Sequence, residues 1–201
     1  MYEDHISLPK LYFMKTKSIF FALLFTAIFT QVATAQIEVK INPVGLLFSR
    51  VSANVEFVVS DDFGVEGSPF IDFLSLDLGD GDKYKTFSTG LMGAGKYYFG
   101  PRDGADRFYA GAYLRFRGGK YTVENGDDSD SFTRTRLAVG LLTGYKWVSR
   151  KNVVFEIGFG LGRSITDNIK TNDGFSEDVA DIPLVNFDFI GRLAVGYRFV
   201  N

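Results

Sequence analysis

From residue 37 onward, apolar and polar side chains alternate with a period of two, which places neighbours on opposite faces of an extended strand. Eight segments carry the pattern: 37–48, 51–60, 63–74, 84–99, 107–124, 130–149, 152–166 and 183–200. In the last, Phe187, Phe189, Leu193, Val195, Tyr197 and Phe199 share a face with Gly191, opposite Asn186, Asp188, Ile190, Arg192, Ala194, Gly196 and Arg198. The sixth sets Leu137, Val139, Leu141, Tyr145 and Trp147 against Arg134, Arg136, Ala138, Gly140, Gly144 and Lys146. The seventh sets Val153, Phe155, Ile157, Phe159 and Leu161 against Glu156 and Gly158, Gly160 and Gly162. No stretch after residue 36 repeats at 3.6 residues, so these segments predict an all-β chain.

Alternation alone leaves open which face is inside. A soluble barrel buries its apolar face, whereas a membrane barrel turns it to lipid. Three features favour lipid. The polar face combines glycines and small residues with fifteen full charges: Glu38, Lys40, Glu56, Glu66, Asp72, Lys96, Arg115, Arg117, Arg134, Arg136, Lys146, Glu156, Asp188, Arg192 and Arg198. Such a mixture suits a narrow lumen better than a solvated surface. Connections alternate in length, with tight turns at 60–63 and 149–152, a moderate one at 100–106, and longer polar loops expected at 75–83, 125–129 and 167–182. The apolar connection at 44–51 departs from this alternation. Aromatic clusters Tyr97–Phe99, Tyr145–Trp147 and Tyr197–Phe199 end the even strands, and Phe63, Phe108 and Phe155 begin odd ones at the same rim, as in an interfacial girdle. The expected fold is an eight-stranded antiparallel up-and-down transmembrane β-barrel in the outer membrane, with periplasmic termini.

The segment before the first strand reads differently. Lys15 and Lys17 precede an apolar run, Ser18–Thr30, and an Ala33-Thr34-Ala35 cleavage pattern. The run is short for a transmembrane helix, which needs about 20 apolar residues. Residues 1–35 are therefore expected to be a signal-peptide region with cleavage after Ala35 and a true start at Met14, and residues 36–201 the barrel.

Several segments resemble a family of small outer-membrane β-barrels of unknown function. They are Lys40–Phe48 followed by Val55 and Glu56, Gly95–Phe99, Phe108–Arg115, Gly140–Trp147 and Arg192–Phe199. The resemblance implies an outer-membrane location, insertion by the barrel-assembly machinery and no established activity. Proteins of this kind end on an aromatic residue, whereas here Val200 and Asn201 follow Phe199.

Composition narrows the chemistry. The chain has no cysteine, 22 glycines, 21 phenylalanines and a single histidine, His5, which lies in the expected signal region. Thiolate metal sites and thiol catalysis are excluded. Without a histidine in the expected mature chain the common general base is missing, and no serine or carboxylate pair stands out. The expectation is therefore no enzyme activity, with no catalytic, cofactor-binding or metal-binding residues and no cofactor. Acidic runs at Asp77, Asp80 and Asp82, and at Glu124, Asp127, Asp128 and Asp130, lack calcium-loop spacing and read as solvated turns. A near-neutral charge of −2 gives no reason to expect nucleic acid.

Six acids against nine bases on the polar face read as a salt-bridged plug, with a narrow, weakly anion-selective channel as the alternative and a soluble ligand-binding barrel as a third. The fifth and sixth strands, with a bend at Gly118-Gly119, exceed the roughly 9–11 residues a span needs. Their hairpin, tipped by Thr122–Ser131, is expected to project and offer a docking surface. A structural, adhesive or partner-docking role follows, for a monomer whose partners are outer-membrane lipid and an envelope or extracellular protein.

Overall fold

The computed structural model describes residues 36–79, 82–125, 128–171, 176–178 and 186–199. The expected signal region, the tip residues Asp80 and Asp127 and the terminal Val200 and Asn201 lie outside them. Strands are β1 (Gln36–Ile41), β2 (Arg50–Ser60), β3 (Phe63–Gly79), β4 (Asp82–Tyr98), β5 (Arg107–Asn125), β6 (Asp128–Val148), β7 (Val153–Thr171), β8 (Ser176–Asp178) and β9 (Phe187–Phe199).

Every strand pairs antiparallel with its neighbours, and eight of them close a ring in the order β1-β2-β3-β4-β5-β6-β7-β9, with β8 paired to β7 above β9. Following partners round the ring from Val153 passes through Tyr197, Val39, Val55, Gly67, Gly93, Leu114 and Val139 and returns to β7 at Arg163, ten residues higher. That stagger forces the strands to tilt, typically by about 35–45°.

Closure decides the question that alternation left open: the apolar face is outside. Val153, Phe155, Ile157, Phe159, Leu161, Leu141, Phe189 and their equivalents on other strands are exposed, while Glu38, Lys40, Glu56, Lys96, Lys146 and Glu156 are fully buried. The lower rim carries the outward Phe63, Tyr97, Phe99, Phe108, Trp147, Phe155, Tyr197 and Phe199. Neighbouring rings there pack edge-on or tilted, as in Tyr97–Phe99 at 5.0 Å and Tyr145–Trp147 at 4.5 Å.

Four expectations need correction. Residues 43–48 are not a continuation of the first strand: Pro43 starts a 3-10 helix, Pro43–Phe48, and the Asn42 side chain caps it by accepting from the Gly45 N–H at 3.2 Å. The expected long loops at 75–83 and 125–129 are strand at every described residue. The β3–β4 ladder runs to Gly79↔Asp82 and the β5–β6 ladder to Asn125↔Asp128, so Asp77 and Asp130 sit in ladders and not in turns. Cross-strand contacts such as the stacked Tyr121–Phe132 pair outweigh the weak strand preference of Gly, Asp and Asn there. The third expected loop, 167–182, begins as strand too: β7 continues to Thr171 because its upper end pairs with β6 as far as Phe132↔Thr171 and with β8 at Asn168–Lys170. Gly118-Gly119 is not a break, since pairing passes through both glycines without a shift of register. The irregularity lies in β7, where a bulge at Ile165 lets Leu137 pair with Thr166 and Ala138 with Ser164.

Candidate functional site

The interior of the ring is charged and stacked in layers. In the lowest, β1, β2, β3, β4, β6, β7 and β9 each aim long charged side chains at the axis. Lys40 donates to Glu156 at 2.6 Å and to Glu56, and lies 3.1 Å from Glu66 and 3.4 Å from Glu38. Lys96 donates to Glu66 at 2.7 Å, Glu156 at 2.8 Å and Glu56 at 3.0 Å. Lys146 bridges Glu38 at 2.9 Å and Glu56 at 3.1 Å. Arg192 holds Glu66 at 2.6 Å and Glu156 at 2.9 Å, and Arg198 holds Glu38 at 2.6 Å. Two buried tyrosines complete the acceptors: the Tyr109 hydroxyl donates to Glu156 at 2.7 Å, and that of Tyr98 donates to Glu56. Lys146 also lies 4.3 Å from the Tyr98 ring centroid and Lys96 4.9 Å from that of Tyr109.

Glycine makes this crowding possible. A Cβ at Gly158 would sit 2.4 Å from the Tyr109 hydroxyl, and one at Gly162 would sit 2.4 Å from that of Tyr113. The inward glycines of β6 and β7 therefore make the space that the tyrosines of β5 fill.

Above lies a mostly apolar layer of Met92, Leu142 and Ile190 with Tyr109 and Tyr113. Higher still is an arginine layer. Arg50 pairs with Asp72 at 2.5 and 3.1 Å, and Arg117 lies 3.5 Å from the same carboxylate. Arg115 pairs with Asp188, which also accepts from the Tyr113 hydroxyl at 2.8 Å. Arg134 binds Asp167 at 2.6 Å through both nitrogens of its fork, and Arg136 lies 3.4 Å from it. The guanidinium groups of Arg50, Arg115 and Arg117 surround the Phe70 ring at 5.1, 5.9 and 5.5 Å from its centroid.

At the lower mouth the connection after β4 folds inward at residues 103–106. Buried Ala105 donates its N–H to the Asp61 carbonyl at 2.5 Å, and Arg198 donates to the carbonyls of Asp103 and Ala105.

All fifteen charged residues read from the sequence as the polar face point into this interior. Two further members, Arg50 and Asp167, were not among them. Arg50 shares the parity of Ser52, Asn54 and Glu56, so extending the second strand by one residue would have found it. Asp167 has the wrong parity by simple alternation: the bulge shifts the phase, so that Ser164 and Asp167 both face inward. Tyr98, read with the rim aromatics, is instead buried inside.

The oxygens of Glu56, Glu66 and Glu156 converge within 4.8 Å, a donor set that a hard cation would use. Lys40 and Lys96 already place two ammonium groups among all three carboxylates. A divalent ion there would add charge to an occupied centre, so these residues do not fit a metal. Each carboxylate of the lowest layer is bound by at least two cations, and none stands apart as a general base.

Over residues 19–180 the sequence matches the profile of a family described as protein of unknown function (DUF3575). No curated protein and no solved structure matches it significantly. With most of its length inside that match, including seven of the eight ring strands whole or in large part, the chain belongs to the DUF3575 family.

Proposed function

We propose that the protein is an integral β-barrel of the outer membrane, with a closed lumen and a structural, adhesive or partner-docking role without catalysis. One observation carries this reading: the molecule is inside-out, with buried lysines and glutamates at its axis and large apolar side chains around its circumference. In water, that outer surface would far exceed the apolar patch of an ordinary monomer, roughly 300–600 Å². The belt also has the height of a bilayer. On β7 the outward positions are apolar from Val153 to Leu161, nine residues, before Arg163 appears. On β6 the equivalent stretch runs from Leu137 to Trp147 before Thr135 and Thr133, interrupted by Thr143, whose hydroxyl donates to the Tyr109 carbonyl at 2.9 Å. Both match the roughly 9–11 residues of a tilted spanning strand.

Above the belt, β3 to β7 continue as tall hairpins, the part of the molecule suited to meeting a partner. The paired charges and the inward fold at the lower mouth support a plug. The arginine layer, five bases against Asp72, Asp167 and Asp188, supports the second reading, a narrow anion-preferring channel. The test is expression of the full chain followed by membrane fractionation, gel mobility with and without heating, and planar-bilayer recording. The expected result is an outer-membrane protein of heat-modifiable mobility that gives no discrete conductance steps. Recovery in the soluble fraction overturns the membrane reading, and reproducible open steps overturn the plug in favour of the channel.

A further inference from the structure

The wall of the ring is incomplete on one side. β1 ends at Ile41, and its pairing with β9 stops at Ile41↔Val195, although β9 continues upward along β7 to Phe187. Among the described residues, Phe187–Ala194 of β9 therefore has no strand on its second edge. Past Ile41↔Ala53 the chain stays beside β2 through the Asn42 N–H, which donates to the Ser52 carbonyl at 3.4 Å. The 3-10 helix Pro43–Phe48 takes the place of the missing half-strand, with Leu46, Leu47 and Phe48 outward at 59, 81 and 77% exposure. Open sheet edges do not face hydrocarbon directly; non-helical backbone at that depth must be covered by protein or line a polar cavity.

Such a cavity lies behind the gap. Asn42, Ser52 and Gly191 line it from the edges of the gap, and Arg50, Asn54 and Arg115 from the interior. Gly191, on the β9 edge of the gap, leaves open space where a Cβ would stand. Asn54 is 97% buried, yet its side-chain Nδ2 donor has no hydrogen-bond partner, an arrangement that points to a missing acceptor. The surroundings are cationic: among the described residues, Arg50, Arg115 and Arg117 pair with two carboxylates, Asp72 and Asp188. The free volume, about 40 Å³, holds roughly three waters or one small oxyanion and no alkyl chain.

We propose that this gap is a lateral portal for an anionic amphiphile. Its oxyanion headgroup occupies the cavity, accepting from Asn54 and facing Arg50 and Arg115, while its hydrocarbon chain stays outside against Leu46, Leu47 and Phe48. A carboxylate and a phosphate monoester share the required chemistry, and the arginine forks suit either. The inference rests on the membrane reading above.

The test uses the purified full chain, folded in neutral detergent micelles and judged folded by heat-modifiable mobility. Retention of radiolabelled palmitate, palmitoyl lysophosphatidate and neutral hexadecanol is measured on the wild type and on two variants. At least one acid should bind about tenfold or more tightly than the alcohol, since a charge-assisted pair distinguishes them. Preference between palmitate and lysophosphatidate identifies carboxylate or phosphate as the headgroup. Asn54→Leu, which fills the cavity, should abolish the preference for the acid. Leu47→Asp should weaken acid and alcohol alike. If Asn54→Leu fails to fold, Ser52→Leu narrows the same cavity from its edge. Equal retention of acids and alcohol by the folded wild type overturns the portal, as does a folded cavity-filling variant that keeps the preference. A chain that is soluble and shows no heat-modifiable form overturns the membrane reading instead.

Discussion

Glu156→Gln should be among the most damaging isosteric changes in this protein. The carboxylate is fully buried and accepts from Lys40 at 2.6 Å, Lys96 at 2.8 Å, Arg192 at 2.9 Å and the Tyr109 hydroxyl at 2.7 Å. At an effective dielectric constant of about 20, each of the three ionic contacts is worth about 6 kcal/mol. Glu56 and Glu66, with oxygens within 4.8 Å, oppose this by about 3–4 kcal/mol each. The gross attraction far exceeds the repulsion, but desolvation of the carboxylate and relaxation around the glutamine offset much of it, and the loss expected is the ~3–5 kcal/mol usual when one partner of a buried pair is deleted. The lowest layer holds four acids, Glu38, Glu56, Glu66 and Glu156, and five bases, Lys40, Lys96, Lys146, Arg192 and Arg198. Glu156→Gln raises its formal charge from +1 to +2, and adding Lys96→Met returns it to +1. The double variant should therefore recover a substantial part of the loss, with a coupling energy outside the additive range.

Urea unfolding in micelles, followed through the single tryptophan Trp147 on the lower rim, reads both effects. With a slope of about 2 kcal/mol per molar urea, the single variant should lower the midpoint by roughly 1.5–2.5 M. A midpoint within 0.5 M of wild type, or a double variant as unstable as the sum of the singles, would refute the idea that charge balance in this layer holds the ring.

Three further outcomes are expected. Gly158→Ala, whose Cβ meets the Tyr109 hydroxyl at 2.4 Å, should cost about 1–3 kcal/mol in the same unfolding assay and be partly relieved by Tyr109→Phe, whereas Gly93→Ala, with open space at its Cβ, should be near neutral. Leu141→Arg, at an outward position 71% exposed, should cost about 2–4 kcal/mol for the barrel in lipid vesicles; a loss under 0.5 kcal/mol would match a water-facing surface and contradict the proposed belt. Deleting Ile165 removes the bulge but makes Ala138↔Ser164 and Leu137↔Thr166 successive pairs, so Asp167 should keep Arg134 and Arg136 and the upper end of β7 should stay as resistant to limited proteolysis as in the wild type; new cleavage there would show that the ladder above the bulge does not hold its register without it.

The buried network bears on specificity as well as stability. Replacing buried ion pairs by well-packed apolar residues is often neutral, so their presence alone does not explain a stable ring. What they do here is tie distant strands in one arrangement: Lys40 of β1 meets Glu156 of β7 across 116 residues, and Arg198 of β9 meets Glu38 of β1 across 160. A strand slipped by one residue would turn its charges to the outer face.

Much of this was legible locally. Period-two alternation is a property of neighbouring residues, so the strands, the membership of each face and the fifteen inward charges could be read along the chain. Rim aromatics and inward glycines followed from the same parity. Two kinds of feature could not be read so. The helix at Pro43–Phe48 replaced an apolar run that alternated well enough to pass for strand, because Pro43 and the Asn42 cap decide its backbone and its neighbours leave room for it. The hairpins of β3–β4 and β5–β6 are held by pairing across strands, which overrides the turn preference of Gly, Asp and Asn.

By itself the sequence determined that the chain is a set of two-faced strands and which residues lie on each face. Only the tertiary structure decided which face is inside and which charge meets which. It also decided that β1 stops halfway up the wall, and that one bulge brings Asp167 into the lumen. The physical reason is that side-chain parity is set over two residues, whereas ring closure, stagger and ion pairing are set by contacts between residues tens to more than a hundred positions apart.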